Sequence, residues 1–480
     1  MNYGSIRYIL GLVLKLEGIF MLPPVVVDLI YRENVWKDYL LCAVLAFLLG
    51  TILSFKKPQQ VVYYAREGFI ATALSWIVLS FMGALPFYIS GEIPDFTDAM
   101  FEIVSGFTTT GASILSDVEA LSHANLFWRS FSHWIGGMGV LVFMLAILPL
   151  AGGGQNLHLM RAESPGPSVS KLVPKLRQTA GYLYGIYIAL TLLELVLLLT
   201  GGMPVFDAVC TSFGTAGTGG FGIKNASMGG YSTYLQTVVT VFMLLFGVNF
   251  SVYFLILMKK GREAFAITEV RCYFGIYAVI TLLMTYNLFM TGFGGLEKSL
   301  HHAAFQAASV MTTTGFSTVD FNLWPEFSKV LLIVLMFIGA CAGSTGGGIK
   351  VSRIVIYYKT IKKELDYLVH PRSIKSVQMD GKRIEHTVVR AANVFLMAYI
   401  GIYAVSLLLI SLGNYDFTTN FTAVAATINN IGPGLNLVGP TGNFGMYSGF
   451  SKWVLIFDML AGRLEIFPML ILCMPSTWRK

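Results

Sequence analysis

Charge is scarce in this chain. Of its 480 residues only 12% are charged, while 55% are hydrophobic, and the mean hydropathy is +0.67. Soluble chains carry about a quarter charged residues, so a water-soluble globule is excluded. Cysteine is sparse too. The five (Cys42, Cys210, Cys272, Cys341, Cys473) are dispersed, mostly in apolar stretches, and show no metal-type spacing. Neither a disulfide framework nor a zinc site is supported. His133 and His302 lack ligand neighbours at helical spacing, and no Ser/His/Asp set or paired carboxylate argues for enzymatic chemistry. A phosphate loop is missing as well: glycines stand at 343 and 348, but no lysine follows Gly348 directly and no strand precedes it.

What the chain does have is a series of apolar runs long enough to cross a bilayer. The expected class is an all-α polytopic membrane protein with membrane lipid as its surroundings. The first run, residues 8–30, contains Lys15, Glu17 and Pro23-Pro24 with no small-residue cleavage site after it, so it reads as a retained span. The net charge of +7 would suggest nucleic acid in a soluble protein. Here the basic residues gather in 56–66, 161–177, 259–271 and 350–390, with Arg479 and Lys480 at the end. That alternation is the positive-inside pattern. It puts these loops and both termini in the cytoplasm and removes nucleic acid as a partner.

Four short stretches organise the rest: DAMFEIVSGFTTTGAS from Asp98, DAVCTSFGTAGTGGFG from Asp207, HAAFQAASVMTTTGFS from His302 and TNFTAVAATINNIGPG from Thr419. Gly111, Gly220, Gly315 and Gly432 each lie 13 positions beyond the residue that opens their stretch. A domain-sized unit repeated four times is the expectation. The helical part of each stretch is about ten residues, too short to span. Each repeat therefore reads as a span, a re-entrant pore helix and a second span (M1-P-M2), set around one central pore, with the second spans expected at 128–150, 235–258, 330–358 and 453–474. Two extra N-terminal spans precede them. The expected units are 1–60 (two spans), 61–155, 156–262, 263–370 and 371–480, with ten crossings in all.

Non-helical backbone at membrane depth survives only where protein buries it or water lines it. A dehydrated monovalent cation needs oxygens, and backbone carbonyls supply them without a trapping charge. Glycine allows the dihedrals that turn carbonyls toward an axis, and threonine beside it suits extended backbone. The candidate ion-lining residues are Thr109, Thr110, Gly111, Thr218, Gly219, Gly220, Thr313, Thr314, Gly315, Asn430, Ile431 and Gly432. For Asp98, Glu102 and Asp207 two readings stay open. They concentrate cations at the mouth, or they only favour a helix N-terminus.

The last span of repeat three is interrupted by CAGSTGGG, residues 341–348. Glycine costs about 1 kcal/mol per residue in a helix relative to alanine, so this stretch reads as a flexible flap under the filter or as a packing kink. Gly343, Gly346, Gly347, Gly348 and Lys350 are the gating candidates here. Arg463 lies near the middle of the last span, where a charge is expensive. It either faces the path and repels cations, or pairs with Asp458 or Glu465. Lys15, Glu17, Asp28 and Glu194 have no sharper reading than packing.

These loops, together with RSFSHWIGGMGV (129–140), GVNFSVYF (247–254), CAGSTGGGIKVSR (341–353) and AGRLEIF (461–467), resemble the Trk/Ktr/HKT superfamily of potassium transporters along essentially the whole chain. The two leading spans are similar to the Trk-type bacterial subunit. The resemblance implies K+ as the transported ion, potassium selectivity from four retained glycines, and an intramembrane gating loop in repeat three. It tips Arg463 toward a pore constriction. It also implies a homodimer on a cytosolic ring of NAD- and ATP-binding regulatory subunits, with no cofactor in the chain itself. The alternatives are a proton- or sodium-coupled secondary transporter, marked by inverted repeats, and a membrane-embedded scaffold or enzyme.

Overall fold

A computed structural model describes residues 2–57, 65–147, 176–372 and 375–478. Most of the basic segments expected at 161–177 and 56–66, the end of the span expected at 128–150, and Arg479 and Lys480 lie outside the described residues.

The described residues are mainly helical. The first helix, Tyr3–Phe20, breaks at Met21, and Pro23 and Pro24 restart it as Leu22–Tyr31, where the missing proline N–H costs nothing. Asp28 then accepts from the amides of Val35 and Trp36 at 3.1 and 3.0 Å, at the start of Trp36–Ser54. Packing brings Gly11 and Gly50 face to face; a Cβ on either would meet the other's carbonyl oxygen at 2.6–2.7 Å. Small residues let membrane helices approach this closely.

After this pair, a long helix followed by a short one recurs four times. Ala65–Ile89 precedes Phe96–Phe107, Leu176–Thr200 precedes Val205–Gly217, Thr268–Met290 precedes Leu296–Met311, and His386–Ile410 precedes Phe417–Ile428. Aspartate caps the first and fourth short helices. Asp95 accepts from Thr97 N at 2.7 Å, and Asp416 from Thr419 N at 2.9 Å. All four short helices are buried along most of their length, whereas the long ones expose apolar side chains such as Leu192, Val196, Leu282 and Leu408.

The helices that follow the second and fourth short ones differ most from expectation. His123–Ile147 is continuous. The expected span at 235–258 is instead bent by 89° between Thr233–Phe246 and Phe250–Leu257. The expected span at 453–474 breaks after Gly449–Arg463 and resumes as Phe467–Cys473, with Glu465 and Ile466 in left-handed backbone (φ 53° and 73°). The interruption in repeat three falls where the glycines stand, between Glu326–Ile338 and Val351–Val369. Among the described residues six helices are long and apolar enough to cross a membrane, or seven with the bent pair. The broken helices fall short of the length of an unbroken crossing.

The breaks satisfy one another. Phe250 N donates to Gly343 O, and Cys341 N to Gly247 O, both at 3.0 Å. Asn249 caps the resumed helix through Ser251 N at 2.9 Å. Backbone freed from its helix at membrane depth is thus paired inside the protein. Beyond Val351–Val369 a two-stranded hairpin pairs Gln378–Met379 with Lys382–Arg383.

Candidate ion pathway

Each short helix closes with the same backbone device. Thr110 N donates to Ser105 O, Gly219 N to Gly214 O, Thr314 N to Ser309 O and Ile431 N to Ala426 O, all at 2.8–2.9 Å. This six-residue bond is the mark of a Schellman cap, which requires a left-handed residue before its closing amide. Thr109, Thr218, Thr313 and Asn430 supply it, at φ 54–60°. Helix closure overrides the β preference of these three threonines, at about 1–3 kcal/mol each.

Two residues further on, Gly111, Gly220, Gly315 and Gly432 have φ of 78°, 73°, 88° and 100°. Thr110, Gly219, Thr314 and Ile431, between them, are not left-handed. Alternation of hand turns successive carbonyls to one side, whereas a strand would alternate them. Only glycine takes the second position of each loop without strain.

The four loops close a ring. A Cβ on Gly111 would collide with Gly219 O, on Gly220 with Thr314 O, on Gly315 with Ile431 O, and on Gly432 with Thr110 O. Each glycine thus touches the carbonyl preceding the next glycine, and the circuit returns to its start. All four glycines line one cavity of about 150 Å³, which Arg129, Lys224 and Pro433 also border. Hydroxyls brace the walls. Thr108 and Thr110 share a hydrogen bond of 2.8 Å, as do Thr312 and Thr314, and Asn430 Nδ2 donates to Thr110 Oγ1 at 2.9 Å. Thr109 Oγ1 and Asn430 Oδ1 are buried without a hydrogen-bond partner.

The glycine-rich segment lies against this ring. Gly347 N donates to Thr313 Oγ1 at 2.6 Å. A Cβ on Gly346 or Gly347 would strike the carbonyls of Thr312 and Asn429, just before two of the walls. Gly343 and Gly348 take positive φ (74° and 73°), which lets the segment fold back. Lys350 Nζ holds its shape by donating to Gly346 O and, at 3.2 Å, to Gly347 O. Glu269 clamps both ends, accepting from Ala342 N at 2.7 Å and Ser352 N at 3.1 Å through one oxygen. Arg463 donates from Nη1 to Thr345 O and from Nη2 to Gly136 O, each at 2.7 Å, and so ties the segment to the helix His123–Ile147.

Asp98 and Asp207 lie in the first turns of their short helices, as one of their two readings has it, and the acids have further partners. Glu465 pairs with Arg353, and Asp458 accepts from Ser406 Oγ at 2.6 Å. Asp98 pairs with Lys452 at 2.5 Å, and Asp207 accepts from Tyr231 Oη at 2.7 Å and faces Lys224 at 3.5 Å. Glu102 is fully buried and pairs with Arg129 at 2.7 Å, while also taking Ser113 Oγ and Ile114 N. These carboxylates hold helices and loops together. Arg129, His133, Asn249 and Glu269 were not singled out by the sequence as site residues. Arg129, His133 and Asn249 sit in the quoted stretches 129–140 and 247–254, so the signal was present without a role attached.

A family model described as TrkH, cation transport protein, matches residues 37–480. The chain is 38% identical to the Trk system potassium uptake protein TrkH of Salmonella typhimurium, with 100% of both chains covered. It is 35% identical to the Trk system potassium uptake protein TrkG of Escherichia coli, again over 100% of both. The crystal structure of the potassium transporter TrkH from Vibrio parahaemolyticus superposes with a TM-score of 0.89 at 36% identity, covering all of both chains. With that match from residue 37 to the end and that likeness over its whole length, the chain belongs to the TrkH family of cation transport proteins.

Proposed function

We propose that this chain takes up potassium across a bacterial inner membrane, in which it is a multi-pass protein. The observation that carries the reading is the closed circuit of Gly111, Gly220, Gly315 and Gly432, each against a neighbour's carbonyl. Carbonyls brought together from four helix C-termini replace hydration water without a full charge, and the helix dipoles favour a cation there. The names of the full-length relatives, potassium uptake proteins, support the same ion.

In this reading Thr109 to Gly111, Thr218 to Gly220, Thr313 to Gly315 and Asn430 to Gly432 are the four walls of the filter. Gly343, Gly346, Gly347, Gly348 and Lys350 form the flap that obstructs it, and Arg463 fastens the flap and places a positive charge on the route. The units 61–155, 156–262, 263–370 and 371–480 each contribute one wall, and 1–60 packs outside them. The basic loops and both termini face the cytoplasm. There a homodimer meets a nucleotide-binding regulatory ring, whose movement releases the flap.

Proteoliposomes holding the purified chain test this. Rb+ uptake driven by a potassium gradient, resistant to sodium and raised by the ring, is the expected result. Flux that requires a proton or sodium gradient would replace the reading with coupled transport, and no flux in folded protein would end it.

A further inference from the structure

The four walls are not chemically equal. At the position before the filter glycine, three carry a side chain (Thr110, Thr314, Ile431) and the second carries Gly219. Backbone strain does not explain that glycine, because Gly219 lies outside the left-handed region. Space does. A Cβ on Gly219 would collide with the imidazole of His133, which occupies the place that a side chain at this position would take.

His133 is fully buried on the helix His123–Ile147, between the first and second short helices. Its Nδ1 lies 2.8 Å from Gly106 O, and its Nε2 lies 3.1 Å from Phe221 N. A backbone amide can only donate, so Nε2 is the acceptor. The ring proton therefore sits on Nδ1 and is given to Gly106 O. One tautomer satisfies both ends. The Phe221 ring lies tilted over the imidazole at 4.3 Å between centroids, and Phe221 directly follows Gly220.

We propose that His133 is a specificity-determining positioning residue. It braces the second wall through the Phe221 amide and the face of Gly219, and so sets where the Gly219 and Gly220 carbonyls stand. This rests on reading the four glycines as the filter. Protonated His133 would present a donor to the Phe221 amide and lose that brace, so the neutral Nδ1–H form is the working one.

The test compares Rb+ and Na+ permeation in proteoliposomes for the parent, Gly220→Ser, His133→Leu, His133→Gln, Gly219→Thr and the pair His133→Ala with Gly219→Thr. His133→Leu keeps an apolar volume and strands the Phe221 amide. It should lower the Rb+/Na+ ratio about tenfold, the scale of one buried donor left unmade. Gly219→Thr alone should lower it as much, because its side chain meets the ring. In the pair, threonine occupies the vacated space and the clash is relieved, but the Phe221 amide still lacks its acceptor, so the ratio should stay about tenfold below the parent. A histidine that merely filled space would let the pair return to the parent ratio, and that result would overturn the proposal. Should Gly220→Ser lose discrimination while folded His133→Leu and His133→Gln keep it, this inference falls and the filter stands. Parent-like ratios in all three would overturn both. Independently of any variant's folding, ¹⁵N imidazole spectra of the parent, assigned by subtraction with His133→Gln, should show Nδ1 protonated and Nε2 bare. The opposite tautomer, or an imidazolium at neutral pH, would overturn the proposal.

Discussion

Arg463→Ala separates the two jobs given to this side chain. Arg463 spans from Thr345 O in the flap to Gly136 O on the helix His123–Ile147, with 2.7 Å at each end. Charge-assisted hydrogen bonds contribute about 1.5–3 kcal/mol net each. Taking the low figure twice, about 3 kcal/mol favours the fastened flap, or roughly a hundredfold in its ratio of closed to open. Alanine removes both bonds and the charge, so Rb+ uptake per folded molecule should rise by at least tenfold and by up to about a hundredfold. Arg463→Lys is the informative companion. A lysine keeps the charge but cannot fork to two carbonyls. If fastening dominates, lysine should give an intermediate rise of about tenfold; if the charge alone is the barrier, lysine should behave as the parent. The assay is initial-rate ⁸⁶Rb+ uptake into proteoliposomes, normalised to monodisperse protein recovered from them. An alanine variant that is well folded and conducts no faster would refute the reasoning.

Three further outcomes follow from the same contacts. Deleting Gly346–Gly348 should also raise flux, and combined with Arg463→Ala it should add less than the sum of the two free-energy effects, since both act on one barrier; full additivity in the uptake assay would mean two separate barriers. Glu102→Ala strands the buried guanidinium of Arg129, and breaking such a pair costs about 3–5 kcal/mol, to be seen as a lower unfolding temperature in detergent. Reversing Lys362 and Lys363 on the exposed helix end should weaken co-purification of a regulatory ring, more so at high salt; an interaction indifferent to both would place the interface elsewhere.

The four glycines were legible because their demand is local. A positive φ beside a neighbouring carbonyl excludes a Cβ whatever surrounds it, so Gly111, Gly220, Gly315 and Gly432 announce themselves by residue type and spacing. The 341–348 interruption was legible for the same reason. The break at Glu465 and Ile466 was not. A β-branched residue argues against left-handed backbone, and the Arg353 that meets Glu465 comes from a distant helix. The pairs Glu102–Arg129 and Asp98–Lys452 likewise join separate helices, so no spacing along one helix betrays them. Arg463 was found by the cost of its charge, but two of its partners are backbone carbonyls, which leave no trace in a sequence. His133 stands in the sequence without metal-ligand neighbours at helical spacing, which says nothing of a bracing role. Its tautomer becomes readable only when the Phe221 amide is placed beside it.

The central claim is that the four loops hold a dehydrated cation between their carbonyls. Crystals grown in rubidium and measured at its absorption edge test that most directly. The account predicts an anomalous peak within the ring formed by the carbonyls of Thr110, Gly219, Thr314 and Ile431, abolished by Gly315→Ser and undiminished in Gly185→Ser, whose added Cβ meets nothing within 4 Å. A ring empty of rubidium at saturating concentration, or a peak that survives Gly315→Ser unchanged, would contradict it.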